Sequence, residues 1–350
     1  MSHSTSQPPR QPPDEPTGEV VADESTSSAT TVLARLRDWA MPLGLAGAVV
    51  LGLLLVYTVG GRDSGLITQS IVTGLLLGGV YALVSIGLTL IFGVLGVVNF
   101  AQGSMLTLSM FLVYVMVTSM GIPVYVATLI AIPIMFAFGA TIQTLFLNKL
   151  TTSGNHEGPL LITLGVSLLI INGLLMIFGG RPKSVPGGVS GSITVFGAIA
   201  SYERLIAFGG AAVVALVLTL ALKKTSFGLS IRAVSANSQA ASLVGVNVNR
   251  VYAMTFGIGA ACVAVAGGLT VPFLSLTPTV GEQFTILAFV IVVLGGLGNV
   301  VGAMVGGLVI GLVQTVGALY LPGTGSLILV FGVFVLVLFF RPQGLFGATS

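Results

Sequence analysis

Charge is what this sequence has least of. Asp, Glu, Lys and Arg make up 7% of its 350 residues, where a soluble domain carries about 25%. Hydrophobic residues account for 55%. That balance excludes a soluble globular enzyme and implies a polytopic integral membrane protein. There is one cysteine, Cys262, inside an apolar run, so neither an intrachain disulfide nor a cysteine metal site can form. The two histidines, His3 and His156, lie in polar segments and neither falls in a span, which argues against a histidine metal cluster and against an intramembrane Ser/His/Asp hydrolase. Lysine occurs only at positions 149, 183, 223 and 224, and none follows a G-x-x-x-x-G-K-[ST] loop. The chain therefore has no such means of cradling nucleotide phosphates, and no cofactor, metal or enzymatic activity of its own is expected. A formal charge of +3 is too thinly spread for a nucleic-acid stripe. The acids fall in the N-terminal tail, at span ends or in loops, so an ion-coupled pathway lacks its usual intramembrane carboxylates.

What is abundant is glycine, with 48 residues. In transmembrane helices glycine lets backbones approach closely, and Gly302-x3-Gly306 and Gly307-x3-Gly311 fit that use. Spanning a bilayer takes about 20 apolar residues. Ten stretches qualify as candidates: 41–59, 66–91, 98–118, 122–147, 159–178, 204–222, 252–274, 284–297, 302–320 and 326–340. The fold class expected is all-α, a transmembrane helical bundle of about 8–10 spans with broken or re-entrant elements. Residues 284–297 are short and run into "LGGLGN", the pattern of a broken element, and Pro133 implies a kink in its helix. Residues 1–31 are Pro-, Ser-, Thr- and acid-rich and are expected to be a disordered tail. The transmembrane domain then covers 41–340.

Basic residues set orientation. With 223–251 in the cytoplasm, Arg35, Arg37, Lys149, Lys223, Lys224, Arg232, Arg250 and Arg341 lie inside, and Arg62, Arg181, Lys183 and Arg204 outside. Both termini are then cytoplasmic. The longest outer loop, about 180–202, has the composition of a hairpin or partner-facing loop. An internal echo relates "FGVLGVVNFAQGSM" (Phe92–Met105) to "VLGGLGNVVGAM" (Val293–Met304), each a Gly-rich break followed by an apolar span. Breaks at corresponding positions of a transporter's halves point to the translocation site. The candidate pathway residues are Asn99, Gln102 and Gly103 at the first break, Thr163, Ser167 and Asn172 on the span between, and Gly295, Gly296 and Asn299 at the second. Such groups suit a neutral or zwitterionic solute.

Between two apolar runs sits the polar stretch "TSFGLSIRAVSANSQAASLVGVNVNRV" (Thr225–Val251). Helical spacing places Ile231, Val234, Ala241 and Val244 on one face, and Gly245 is a natural helix stop. A short rigid helix on the cytoplasmic surface is what a separate ATPase can grip.

This stretch resembles the coupling segment of permease subunits in the branched-chain amino acid ABC importer family, which also includes urea and short-chain amide permeases. "GLLLGGVYALVSIGLTLIFGVLGVVNFAQGSMLTL", "LLITLGVSLLIIN", "AFVIVVLGGLGNVVGAMVGGLVIGL" and the terminal "RPQGL" resemble further blocks of that family, in order over about residues 66–346. The resemblance implies a bacterial inner-membrane permease for branched-chain or other hydrophobic amino acids, with urea or a short amide as the alternative solute. It also implies ATP bound by cytoplasmic ATPase subunits, a second permease subunit and an extracytoplasmic solute-binding protein. The coupling residues it implies are Gly228, Arg232, Ala233, Asn237, Ala240, Ala241 and Gly245. The chain departs from the family pattern at Gln102 and Ser104, where a His and an acid are usual, and at Asn237, where an acid is usual. A passive channel is the rival from another class.

Overall fold

The computed structural model describes residues 64–148, 157–185, 188–321 and 323–346. Apolar runs without internal polar partners satisfy their backbones only as helices, and helices dominate. In chain order they are α1 (Ser64–Leu95), α2 (Gln102–Met120), α3 (Val124–Ile142, extended by a π-helical turn Gln143–Leu147) and α4 (Glu157–Phe178). After a two-stranded hairpin, β1 (Ser192–Val195) and β2 (Ala198–Ser201), come α5 (Tyr202–Lys224), α6 (Ser226–Ala236) and α7 (Ser238–Leu243). The series ends with α8 (Val248–Thr270), α9 (Val280–Gly295), α10 (Val300–Tyr320) and α11 (Gly325–Phe340).

Among the described residues, seven helices are long and apolar enough to cross a membrane, and α9 and α11 are shorter apolar helices. The expected span at 41–59 lies outside the described residues, as do the tail and both histidines. Pro133 sits inside α3, which runs on through it, and the departure from α geometry comes later, at Gln143–Leu147. The expected span 98–118 starts as helix only at Gln102, after the non-helical stretch 96–101.

At 32 residues, α1 is about 48 Å long, well beyond the ~30 Å hydrocarbon core. It is the central post, with 83% of its apolar window buried, as is that of α8. The glycines of α10 divide between two neighbours. Gly307 and Gly311 lie against the α1 backbone at Ala82, Gly74 and Gly78, while Gly302 and Gly306 lie against Gly295 and Ile291 of α9. Any larger side chain at Gly307 or Gly311 would overlap main-chain atoms of α1. The spacing read in the sequence is thus two adjacent helix-packing faces.

The two ends of the bundle differ. At one, called here the basic end, Lys223 and Lys224 close α5, and Arg232, Arg250 and Arg341 lie nearby. At the other stands the hairpin, paired Ser192↔Ser201 through Val195↔Ala198. Its turn residues Phe196 and Gly197 both have positive φ, 52° and 82°, as the right-handed twist of a two-residue hairpin requires. Gln69 of α1 clamps the hairpin, donating from Nε2 to the Ile199 carbonyl (2.9 Å) and accepting from the Ile199 N–H at Oε1 (2.7 Å). The hairpin expected within 180–202 is therefore present and fastened to the end of α1.

Candidate functional site

The first break is a doubling-back inside the bundle. Gln102 opens α2, yet its Nε2 donates to the carbonyl of Val84 (3.3 Å), eleven residues before α1 ends at Leu95. Hence α2 starts beside the middle of α1, and residues 96–101 climb back as irregular backbone within the protein. Such backbone is tolerated in a membrane only where protein or a cavity satisfies it, and Asn99 does much of that here. Buried, it accepts from the Ala101 N–H at Oδ1 (3.0 Å) and donates from Nδ2 to Gln102 Oε1 (3.1 Å). Thr163 of α4 comes to the same place. Its hydroxyl accepts from the Phe100 N–H (3.3 Å) and donates to the Leu160 carbonyl (3.0 Å).

Beside this break the first turns of α2 and α9 clasp each other reciprocally. The Gly103 N–H donates to Thr285 Oγ1 (3.1 Å), and the Gly281 N–H donates to Thr107 Oγ1 (3.0 Å). Each threonine in turn donates to the carbonyl four residues back, Thr107 to Gly103 and Thr285 to Gly281. A Cβ added at Gly103 would overlap the Gly281 carbonyl oxygen, and one at Gly281 would overlap the Gly103 carbonyl oxygen. Two helix N-termini, each the positive end of a dipole, are so brought together with neutral hydroxyls on their free N–H groups. Glu282, on the first turn of α9, is exposed beside them.

The second break joins α9 to α10. Gly296 and Gly298 adopt positive φ, 101° and 82°, and turn α9 into α10 at the basic end. Gly295 packs on Gly302. Asn299 caps α10, accepting from the Gly302 N–H (3.0 Å), and donates to the Phe346 carbonyl (3.0 Å). This hairpin packs on the last turns of α1, Gly298 against Gly93. It lines a cavity of about 470 Å³ together with Thr89 and Gly93 of α1, Lys223 of α5 and Arg232 of α6. The structure thus divides the expected pathway set. Asn99, Gln102, Gly103 and Thr163 come together, Asn299 lines the basic-end cavity, Gly295 and Gly296 are buried in the turn before it, Ser167 is half-buried one turn along α4, and Asn172 faces outward.

The polar segment is two helices, where sequence spacing implied one. Asn237 is extended (φ −159°, ψ 106°) and starts α7 anew by accepting from the Ala240 N–H (2.9 Å). Thr225 and Asn247 cap α6 and α8 in the same way. Gly245 has a φ of 89° just past α7, the left-handed stop its position implied. Ile231, Val234 and Ala241 are buried against Val94, Val251 and Tyr252. Gly228 sits against the Leu222 backbone, and Arg232 donates to the Leu222 carbonyl. Val244 corrects the expected face: the break at Asn237 rotates α7, and Val244 is 80% exposed. Leu243, at 88% exposure, and Leu229, at 61%, are likewise bare on this segment. Arg232, Asn237, Ala240 and Gly245 are exposed on this segment and Ala233 is half-buried.

The chain matches the family described as branched-chain amino acid transport system / permease component over residues 70–338. It belongs to that family. Like its relatives, this permease-family chain is matched over most of its length. The high-affinity branched-chain amino acid transport system permease protein BraD of Pseudomonas aeruginosa is 31% identical over 293 residues, 80% of this chain and 95% of that protein. LivH of Escherichia coli strain K12, which bears the same descriptive name, is 30% identical over the same shares. The ribose import permease protein RbsC of Bacillus subtilis is 29% identical over 243 residues, 65% of this chain and 70% of that protein. No solved structure matches the chain.

Sequence reasoning missed Thr107, Gly281 and Thr285 of the clasp, although Gly-x3-Thr occurs at both 103–107 and 281–285. It also missed Leu229 and Leu243. A large apolar residue in an otherwise polar, charged segment was the available signal.

Proposed function

We propose that this permease is the membrane subunit of an ATP-driven importer in the bacterial cytoplasmic membrane, carrying branched-chain or other hydrophobic amino acids inward. The observation that carries the reading is the α6–α7 segment. It is fastened to the inner ends of α1, α5 and α8, yet presents Leu229, Leu243 and Val244 to water. Exposed apolar residues on a rigid base mark a protein contact, and a separate ATPase is the partner that a chain without a nucleotide loop requires. The basic end is then cytoplasmic. Lys223, Lys224, Arg232, Arg250 and Arg341 lie there, against Arg181, Lys183 and Arg204 at the other end, in accord with the positive-inside rule.

Asn99, Gln102 and Thr163 are the groups we assign to the solute pathway, with the Gly103–Gly281 clasp closing it in this conformation. Movement of α6–α7 is transmitted through the cavity it shares with the second break, so ATP hydrolysis on the partner reaches α1, α9 and α10. A solute-binding protein delivers cargo at the hairpin end, and a second permease chain completes the pathway. The names of the more similar relatives favour branched-chain amino acids as cargo, with urea or a short amide as the alternative.

Leu243→Asp combined with Val244→Asp tests the reading. Co-purification with co-expressed ATPase subunits is expected to be lost while the folded chain remains in the membrane. Unchanged association and unchanged uptake would reject it. Uptake of labelled leucine against labelled urea decides the solute, and uphill accumulation by the chain alone in liposomes would exclude a partner-driven mechanism.

A further inference from the structure

The cavity at the basic end is bordered by charge of one sign. Lys223 of α5 and Arg232 of α6 line it, and no Asp or Glu is among its lining residues. The start of α10 borders it too, through Asn299, Val300 and Val301. A helix start is the positive end of a dipole, and its first N–H groups lack intrahelical partners. Asn299 takes the N–H of Gly302 (3.0 Å) and leaves those of Val300 and Val301 to a ligand. Two cations and a helix N-terminus thus border one space of about 470 Å³.

Thr89 gives an independent sign of an occupant. It lines the cavity, is fully buried, and its hydroxyl has no hydrogen-bond partner among the described residues. Neighbouring helix hydroxyls bond back to the carbonyl four residues earlier, Ser85 to Tyr81 on the preceding turn of α1 and Thr219 to Ala215 on α5. Thr89 does not. A buried hydroxyl left unpaired costs about 1–3 kcal/mol, and a ligand oxygen accepting from it removes that cost. Thr89 stands six residues before the end of α1 at Leu95, roughly 9 Å along its axis, so the cavity reaches inward from the basic end.

We propose that this cavity binds the phosphate group of an anionic membrane lipid. Donors alone surround the space, which suits an anion. A zwitterion fits poorly, because its cationic group would stand beside Lys223 and Arg232 with no carboxylate to pair with. The remaining wall is apolar, with Leu90, Val94, Ile231 and Leu297, a surface that acyl chains cover and free phosphate does not. Lys223 also continues the bare stripe of α5. Val213, Leu216 and Leu220 are exposed on that helix, and Lys223 follows them in steps of three, four and three residues. A lipid lying along α5 therefore carries its headgroup to Lys223, where a basic residue at a span end attracts anionic lipid. Bound there, the phosphate ties α5 and α6 to the start of α10 and braces the base of the α6–α7 segment.

Lipid titration of the purified full chain, read by native mass spectrometry, tests this. The probe is dioleoyl phosphatidylglycerol, and the control is dioleoyl phosphatidylcholine, which has the same chains under a zwitterionic headgroup. A saturable phosphatidylglycerol adduct is expected, with phosphatidylcholine binding more weakly. Thr89→Val keeps the side-chain shape and removes the unpartnered hydroxyl; it is expected to weaken the adduct about tenfold, the loss of one hydrogen bond to a charged group, and Thr89→Ser to retain it. Lys223→Gln is expected to weaken it similarly, and Lys224→Gln, next in the chain but outside the cavity lining, to leave it unchanged. Lipid-free melting midpoints report folding; should Thr89→Val not fold, the two lysine variants decide. Equal binding of the two lipids, or equal weakening by both lysine variants, would overturn the site. Inorganic phosphate protecting the chain from thermal unfolding as well as the lipid does would overturn the lipid source. The chain is assayed alone, so loss of ATPase association in the α7 variants leaves this result unaffected.

Discussion

Separating α2 from α9 by a single methyl group is the sharpest test of the clasp. Gly103→Ala places a Cβ on the Gly281 carbonyl oxygen, and Gly281→Ala places one on the Gly103 carbonyl oxygen. The obstacle is main chain in both cases, so no side chain can swing away. Relief requires moving one helix, at a cost of about 1–3 kcal/mol for overpacking. Moving it also lengthens the 3.1 Å and 3.0 Å bonds to Thr285 and Thr107. Membrane hydrogen bonds contribute about 0.6 kcal/mol each on average, which brings each variant to a loss of about 2–4 kcal/mol. Because either substitution alone parts the helices, the second adds little, and the double variant is expected to lie within about 1 kcal/mol of the worse single. Groups in direct contact couple in this way, whereas distant sites add. The assay is reversible unfolding of the purified chain in mixed micelles, followed by circular dichroism. Single variants within about 0.5 kcal/mol of the parent, or strict additivity in the double, would refute the reasoning.

Three further outcomes are expected. Phe196→Gly should stabilise the chain by about 1 kcal/mol, since a bulky residue at positive φ is strained and Phe196 is 91% exposed; a thermal shift assay reads it, and a lower midpoint would contradict it. Asn299→Ala removes the α10 cap and the tie to Phe346, so about 1 kcal/mol should be lost, with faster proteolytic removal of the C-terminal residues in a timed digest. Asn99→Ala, which leaves the Ala101 N–H without its acceptor, should cost about 1–3 kcal/mol and reduce uptake by more than the fall in folded protein explains; uptake normalised to folded protein would show the difference.

Much of the fold was legible because burying twenty apolar residues between polar flanks is a local property. Chain composition bounded the spans, and the same logic located the segment after Lys223–Lys224 and its stop at Gly245. The paired glycines of α10 announced close packing but not that Gly307 and Gly311 serve α1 while Gly302 and Gly306 serve α9. The faces were hard to read for a physical reason. Helices in lipid are apolar on every side, so hydrophobic periodicity does not separate the packed face from the bare one, as it does in water. Val244 shows the complementary failure: spacing carried across Asn237 assumed one helix, and the extended backbone there resets the phase.

What the sequence determined by itself was membrane residence, the approximate spans and a polar segment between two of them, all set by local transfer energies and caps. Only the tertiary structure decided that Gly103 meets Gly281 across 178 positions, that Asn299 of the second break lines the basic-end cavity, and that of two asparagines Asn99 is buried while Asn172 is bare. Those outcomes depend on which helix surfaces pack together, a choice made by backbone fit and hydrogen-bond pairing between distant segments, and neither leaves a periodic trace along a uniformly apolar chain.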